Sequence, residues 1–150
     1  MKKFELTQET KLFLGKTLYR IKALISFGNV SAGDLGGWIE KEKNLSQDGN
    51  AWVYGDAKVY GDARVCGDAK VYGDAHIMWI SKIGSRNDII TFMRSKELKI
   101  IVIVGCFKGS IEEFEKKVKQ THGDNEHAKA YFLAIQLAKL RIDLTEETDV

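Results

Sequence analysis

The stretch KIGSRND, residues 82–88, puts Lys82, Ser85, Arg86 and Asn87 in one tight turn around Gly84. Such a turn can aim backbone N–H groups at an anion, and an arginine offers a planar fork for phosphate or carboxylate. Further on, CFKGS sets Lys108 at the mouth of a predicted helix, although Glu112 and Glu113 already answer that helix's dipole. Arg94, Lys96 and Lys99 gather around the next turn, and Trp79 offers a face on which a base can stack. The chemistry these types suggest is binding of a small anion, with a nucleotide as the leading class. The candidate binding residues are Lys82, Ser85, Arg86, Asn87, Trp79, Arg94 and Lys108. The competing reading is structural: Arg86 and Asn87 close a hairpin, and Trp79 covers the end of a core.

Charge placement supports the first reading. The formal net charge is only +2. Residues 79–109, however, hold 6 basic and 2 acidic groups, a local +4, while residues 110–150 hold 6 and 9, a local −3. A basic surplus of that size suits a small anion better than long nucleic acid, which neutralises many phosphates at once. With 44% hydrophobic and 29% charged residues the chain reads as folded rather than disordered. Its apolar runs, Ile100–Val104 among them, are far shorter than a membrane span, and the N-terminal MKKFELTQET has no apolar segment of the signal-peptide kind. A cytoplasmic protein is expected, with Cys66 and Cys106 as reduced, buried thiols.

The elements that must hold these groups begin with a repeat. GNAWVY (49–54), GDAKVY (55–60), GDARVC (61–66), GDAKVY (67–72) and GDAHIM (73–78) place alanine at 51, 57, 63, 69 and 75 and Val or Ile at 53, 59, 65, 71 and 77. Each copy carries a Gly-Asp or Gly-Asn turn signal. A period of six is neither helical nor a two-residue alternation, and it belongs to coils of short stacked strands. Leu45 falls in the alanine frame of a degenerate upstream copy.

The pairs Val53/Ala57, Val59/Ala63, Val65/Ala69 and Val71/Ala75 resemble the hexapeptide-repeat, left-handed β-helix family. That resemblance implies three copies per triangular coil and stacking at a separation of eighteen: Tyr54 over Tyr72, Asp56 over Asp74, Lys58 over His76. Valines and alanines would fill the interior, with tyrosines and basic residues outside. Over nearly its full length the chain also resembles uncharacterised hexapeptide-repeat proteins of phages, prophages and gut bacteria. Carrying this likeness are SAGDLGGWIEKEKNLSQDGNAWVYGDA, WISKIGSRND and GCFKGSIEEFEKKVKQTHGD.

Around the repeat, KFELTQETKLFLGKTLYRIKALISFG reads as a hairpin turning at Leu14-Gly15-Lys16. Residues 77–107 read as a three-stranded antiparallel meander. Ser110 and Glu113 form a capping box for a helix with Ile111, Phe114 and Val118 inside, ended by Gly123. A last helix spans about 125–142, apolar on two stripes, one of them suited to another subunit, and the TEETDV tail reads as frayed. The expected fold is mainly β with α: a short left-handed parallel β-helix joined to an antiparallel meander and two C-terminal helices. Its expected parts are an N-terminal hairpin cap (1–34), the hexapeptide coil (35–78) and a C-terminal α/β lobe (79–150).

Three functions compete. The leading expectation is a non-catalytic homo-oligomer, a trimer by the family's analogy, that binds a small anionic ligand; the phage likeness extends this to sequestering a nucleotide immune signal. The second is the acyl transfer of better-known hexapeptide enzymes, which use a histidine as general base. Here His76 is the repeat's one histidine, and it takes the outward slot of Lys58, Arg64 and Lys70, so a solvated surface role is expected. The third is a structural or protein-binding module using Tyr54, Tyr60 and Tyr72. Zinc of the kind held by related β-helix hydratases is not expected, because His122 and His127 straddle Gly123 and would not share a face. No cofactor, catalytic set, metal site or membrane partner is expected.

Overall fold

Four glycines set the rhythm of the repeat. In the computed structural model, which describes residues 1–145, Gly49, Gly55, Gly61 and Gly67 all have φ between 54° and 75°. Three of the turns close with a backbone bond: the N–H groups of Ala57, Ala63 and Ala69 donate to the carbonyls of Tyr54, Tyr60 and Cys66 at 3.0, 3.3 and 3.3 Å. A side chain at the glycine would be strained there, which explains why it recurs in these four copies. The chain forms two compact units, residues 1–74 and 75–150.

In the first unit, β1 (Phe4–Phe13) and β2 (Lys16–Ala23) form an antiparallel hairpin whose turn uses Leu14 and Gly15 at positive φ. β3 (Leu35–Ile39) continues that sheet antiparallel to β2. The short strands β4 (Trp52–Val53), β5 (Lys58–Val59) and β6 (Lys70–Val71) then pair in parallel: β4 with β6, and β3 with β5. Trp52 lies opposite Lys70 and Val53 opposite Val71, a separation of eighteen, and the Tyr54 and Tyr72 rings stack at 4.2 Å. Ala51, Val53, Ala57, Val59, Ala63, Val65, Ala69 and Val71 are all buried.

Two expectations about the repeat need correction. Ile39 pairs with Val59 and Leu45 bridges to Val65, a separation of twenty rather than eighteen. Leu45 therefore takes a valine position, not an alanine one, because the loop at 46–50 holds two residues more than a regular copy. The fifth copy also leaves the frame. Gly73 lacks the positive φ of the four before it, Asp74–His76 forms a 3-10 turn, Ala75 is exposed and His76 is buried.

Three polar or backbone features lock this unit. Asn44 is fully buried with its amide satisfied: Oδ1 accepts from the Glu40 and Lys41 N–H groups, and Nδ2 donates to the Gly61 and Ala63 carbonyls. At Gly36 a Cβ would lie 2.7 Å from Ile21, Trp52 and the Val53 carbonyl; at Gly37 it would lie 2.7 Å from Val53 and the Ala57 carbonyl. Lys3 is buried beside the coil, where Nζ donates to the Ala51 carbonyl at 2.9 Å and sits 4.9 Å from the Phe27 ring centre.

The second unit is an antiparallel sheet with two helices. β7 (Ile77–Ile83), β8 (Asp88–Arg94), β9 (Ile100–Val104) and β10 (Phe107–Ser110) lie in the order β10-β9-β8-β7. A fourth strand thus joins the expected three, because residues 107–110 pair with β9 before the helix starts. α1 (Ile111–His122) begins with the Ser110/Glu113 capping box and ends at Gly123, φ 64°. α2 (Glu126–Arg141) is capped by the Asn125 side chain. Ile90, Phe92 and Val102 of the sheet share one core with Phe114, Val118 and Ile135 of the helices. Among the described residues no helix is long and apolar enough to cross a membrane. The expected fraying of the C-terminal tail falls mainly on residues 146–150, outside the described range.

Replacing Gly37 by Ala should lower unfolding stability by about 1–3 kcal/mol, since the new methyl meets backbone rather than a yielding side chain. Denaturant titration checks this, and an unchanged midpoint would contradict it. Burial lowers the Lys3 ammonium from 10.5 to about 8, with Asp48 opposing the shift. Between those values the unfolded chain keeps the proton and the folded chain sheds it. Stability therefore rises with pH across that window, by on the order of 3 kcal/mol. Unfolding curves for wild type and Lys3→Met at pH 7.5 and 10 should show the rise only in wild type.

Candidate functional site

Two hairpin turns and two helices of the second unit enclose a cleft of about 550 Å³. The β7–β8 turn contributes Ser85, Arg86 and Asp88, and the β9–β10 turn contributes Gly105, Cys106, Phe107 and Lys108. From α1 come Phe114, Lys117, Val118, Thr121 and His122, spaced so that they fall on one helical face. Tyr131 of α2 completes the wall.

The glycines of the two turns are fixed by close approach as well as by φ. At Gly84 (φ +82°) a Cβ would collide with the Tyr131 hydroxyl, and at Gly105 (φ +56°) it would lie 2.8 Å from Asp88 Oδ2. The apolar side of the cleft is a chain of rings. Phe107 packs on Phe114 at 5.2 Å, Phe114 meets Tyr131 edge-on at 5.2 Å, and the His122 ring lies roughly parallel to Tyr131 at 6.0 Å. Burial raises the Tyr131 phenol above its ordinary 10; the Asp88 carboxylate pushes the same way and Arg86 opposes it. The hydroxyl is therefore a neutral donor throughout the physiological range.

Three cations, Arg86, Lys108 and Lys117, line the cleft against one carboxylate, Asp88. Among the described residues none of the three forms an ion pair. All three are exposed and can meet an anion without first breaking an ion pair.

Of the residues singled out in the sequence, Ser85, Arg86 and Lys108 meet here. Lys82 and Asn87 stand exposed on the same hairpin at φ 59° and 50°, and neither lines the cleft. Trp79 sits half-buried on β7, also outside the lining. Arg94 is buried, and its Nη1 donates to the Thr145 carbonyl at 2.9 Å and the Asp143 carbonyl at 3.4 Å. It ties the segment after α2 to β8 and does not line the cleft.

The cysteines and histidines also depart from expectation. Cys106 is exposed in the cleft and Cys66 is half-buried. His76 is buried rather than solvated, because the chain leaves the repeat frame just before it. The rings of His122 and His127 lie 5.5 Å apart, since the break at Gly123 turns the chain back on itself instead of separating them. Among the described residues no cluster of three or more His, Cys, Asp or Glu is arranged to hold a metal. Lys117, His122 and Tyr131 were not singled out for this site. The available signal was the 114/117/118/121/122 spacing, which places polar residues beside the buried stripe.

No family model matches this chain. It is 37% identical over 62 residues to an uncharacterized acetyltransferase, YdcK, of Escherichia coli (strain K12). The match covers 36% of this chain and 19% of that protein, so the chain spans about a fifth of its relative's length.

Arg94→Met should cost about 1–3 kcal/mol in stability by releasing two carbonyls, while leaving anion binding at the cleft unchanged. Denaturation and calorimetry on the same sample check both halves.

Proposed function

We propose that the cleft between the β7–β8 turn, the β9–β10 turn and the two helices binds a small anion bearing a flat ring, with a nucleotide as the leading class. The observation that carries this is the set of Arg86, Lys108 and Lys117, unpaired among the described residues, around about 550 Å³ walled by aromatic rings. The Arg86 fork takes a phosphate bidentately, and Lys108 and Lys117 supply point charges to the same group or the next. Tyr131 donates a hydrogen bond, and the Phe107, Phe114 and His122 rings offer π-faces and edges to a base. Asp88 disfavours a second polyanion and suits a ligand with a donor group near its phosphate. The repeat serves as a rigid frame of left-handed β-helix type, supported by the parallel pairing at separations of eighteen and twenty. Binding without turnover, and hence sequestration, is the form of this reading that the phage-protein resemblance favours.

Acyl transfer is the second reading, favoured by the stretch of similarity to a protein named as an acetyltransferase. Acetyl-CoA is itself an anion with an adenine ring, so the same cleft chemistry would serve it. His122 is the histidine on the cleft wall, whereas His76 is buried, so His122 takes the general-base role in this reading.

Isothermal calorimetry with ATP, cyclic dinucleotides and acetyl-CoA decides between them. Binding should weaken at least tenfold in Arg86→Ala and in Lys117→Ala, about 1.4 kcal/mol or more each, and should fall as salt rises. Acetyl-CoA consumed in the presence of an amine, with loss in His122→Ala, would establish the second reading. No heat from any compound at millimolar concentration would end both.

A further inference from the structure

The wall of the cleft carries a histidine, His122, which is the last residue of α1. Histidine is the side chain whose charge ordinarily changes between pH 5 and 8. Arg86, Lys108 and Lys117 stand against Asp88 in the lining, three cations to one carboxylate, a formal +2; a proton on His122 makes it +3. A single proton thus strengthens the field that an entering anion meets. Among the described residues His122 forms no ion pair, so a charge placed on it has no fixed internal partner.

A second imidazole stands beside the first. The ring centres of His122 and His127 are 5.5 Å apart, both residues are half-buried, and His127 does not line the cleft. Two positive charges at that distance repel. The helix ends set which ring is the better place for one charge: His122 closes α1, where the dipole favours a cation, and His127 lies in the first turn of α2, where it opposes one. Beyond the lining charges, Lys119 sits one turn back on α1, Asp124 in the connection and Glu126 at the start of α2. Cations thus outnumber carboxylates around His122 by four to three, and an anion in the cleft supplies the negative charge that a protonated ring lacks. The other titratable groups of the lining are Asp88, Cys106 and Tyr131.

We propose that His122 makes the cleft pH-sensitive: once protonated it joins Arg86, Lys108 and Lys117 in holding the anion, so binding tightens as pH falls and takes up a proton. This rests on the anion-binding reading of the cleft given above. The linkage is reciprocal, since an anion that binds the protonated form better raises the ring's hold on its proton by the same factor. In the acyl-transfer reading the same ring must be neutral to act as a base, so binding and turnover follow opposite pH trends.

Isothermal calorimetry at about pH 5.5, 6.5 and 7.5 tests it with cyclic di-AMP and ADP-ribose, whose phosphodiester charges do not change over that range. Wild-type affinity should rise at least about fivefold from the highest pH to the lowest. At the middle pH, two buffers of different ionisation enthalpy should reveal uptake of part of a proton per ligand bound. His122→Gln, whatever its own affinity, should bind equally at all three pH values and take up no proton. His122→Lys, a fixed cation, should be just as flat and bind more tightly than His122→Gln at the highest pH. His127→Gln should keep the wild-type slope. Three results would overturn the proposal while leaving the cleft reading standing: a flat wild type, a slope lost in His127→Gln, or a slope that survives in His122→Gln and so belongs to another group such as Asp88. No binding of either probe at any pH would count against the cleft reading itself and remove this one with it.

Discussion

The approach of Gly84 to the Tyr131 hydroxyl, and of Gly105 to the Asp88 carboxylate, is the constraint on which the cleft depends. Both glycines sit in turns at positive φ, and neither has room for a Cβ. Because of that closeness the β7–β8 turn lies against α2, and the β9–β10 turn lies against the Asp88 side chain. Together with the sheet–helix core, this packing brings Arg86 and Lys108 to the same opening as Lys117 of α1. Side chains larger than glycine at either turn would push the hairpin tips outward and disperse the three charges. The positive field of the opening is therefore a consequence of backbone contact, not of any attraction among the cations, which repel one another.

A different economy governs the repeat unit. Its strands are two residues long, so they gain little from ladder hydrogen bonds taken one pair at a time. Stability comes instead from repetition: each turn glycine returns the chain to the same register, and each return buries another Val and Ala. Asn44, just before the longer loop at 46–50, ties the Glu40 and Lys41 N–H groups to the Gly61 and Ala63 carbonyls through four side-chain bonds. Gly36 and Gly37 let β3 lie against the repeat strands at a distance that no side chain would permit.

What could be read from the residues, and what could not, follows the range of the interaction. Local rules exposed the turn glycines, the Ser110/Glu113 capping box, the stop at Gly123 and the turn at Leu14-Gly15, because each depends on a few neighbouring residues. The shift of Leu45 into a valine position was hidden, since it depends on how many residues a distant loop absorbs. Burial of His76 was hidden for the same reason: GDAHIM looks like a fifth copy, and only the geometry at Gly73 shows that it is not. In the cleft, Ser85, Arg86 and Lys108 were visible as turn residues. Lys117, His122 and Tyr131 were not, because they reach the site from helices whose docking the local sequence does not encode. Arg94 reads in the sequence as a partner for an anion, and in the structure it is buried with its guanidinium on the Asp143 and Thr145 carbonyls.

The central claim is that one cationic, ring-walled opening in the second unit is the ligand site. A two-dimensional amide NMR titration with ATP tests it most directly, because it reports where binding occurs as well as whether it does. The account predicts saturable shifts concentrated in residues 84–88, 105–108, 117–122 and 131, weakening as salt is added. Shifts centred on the repeat, or none up to several millimolar nucleotide, would contradict it.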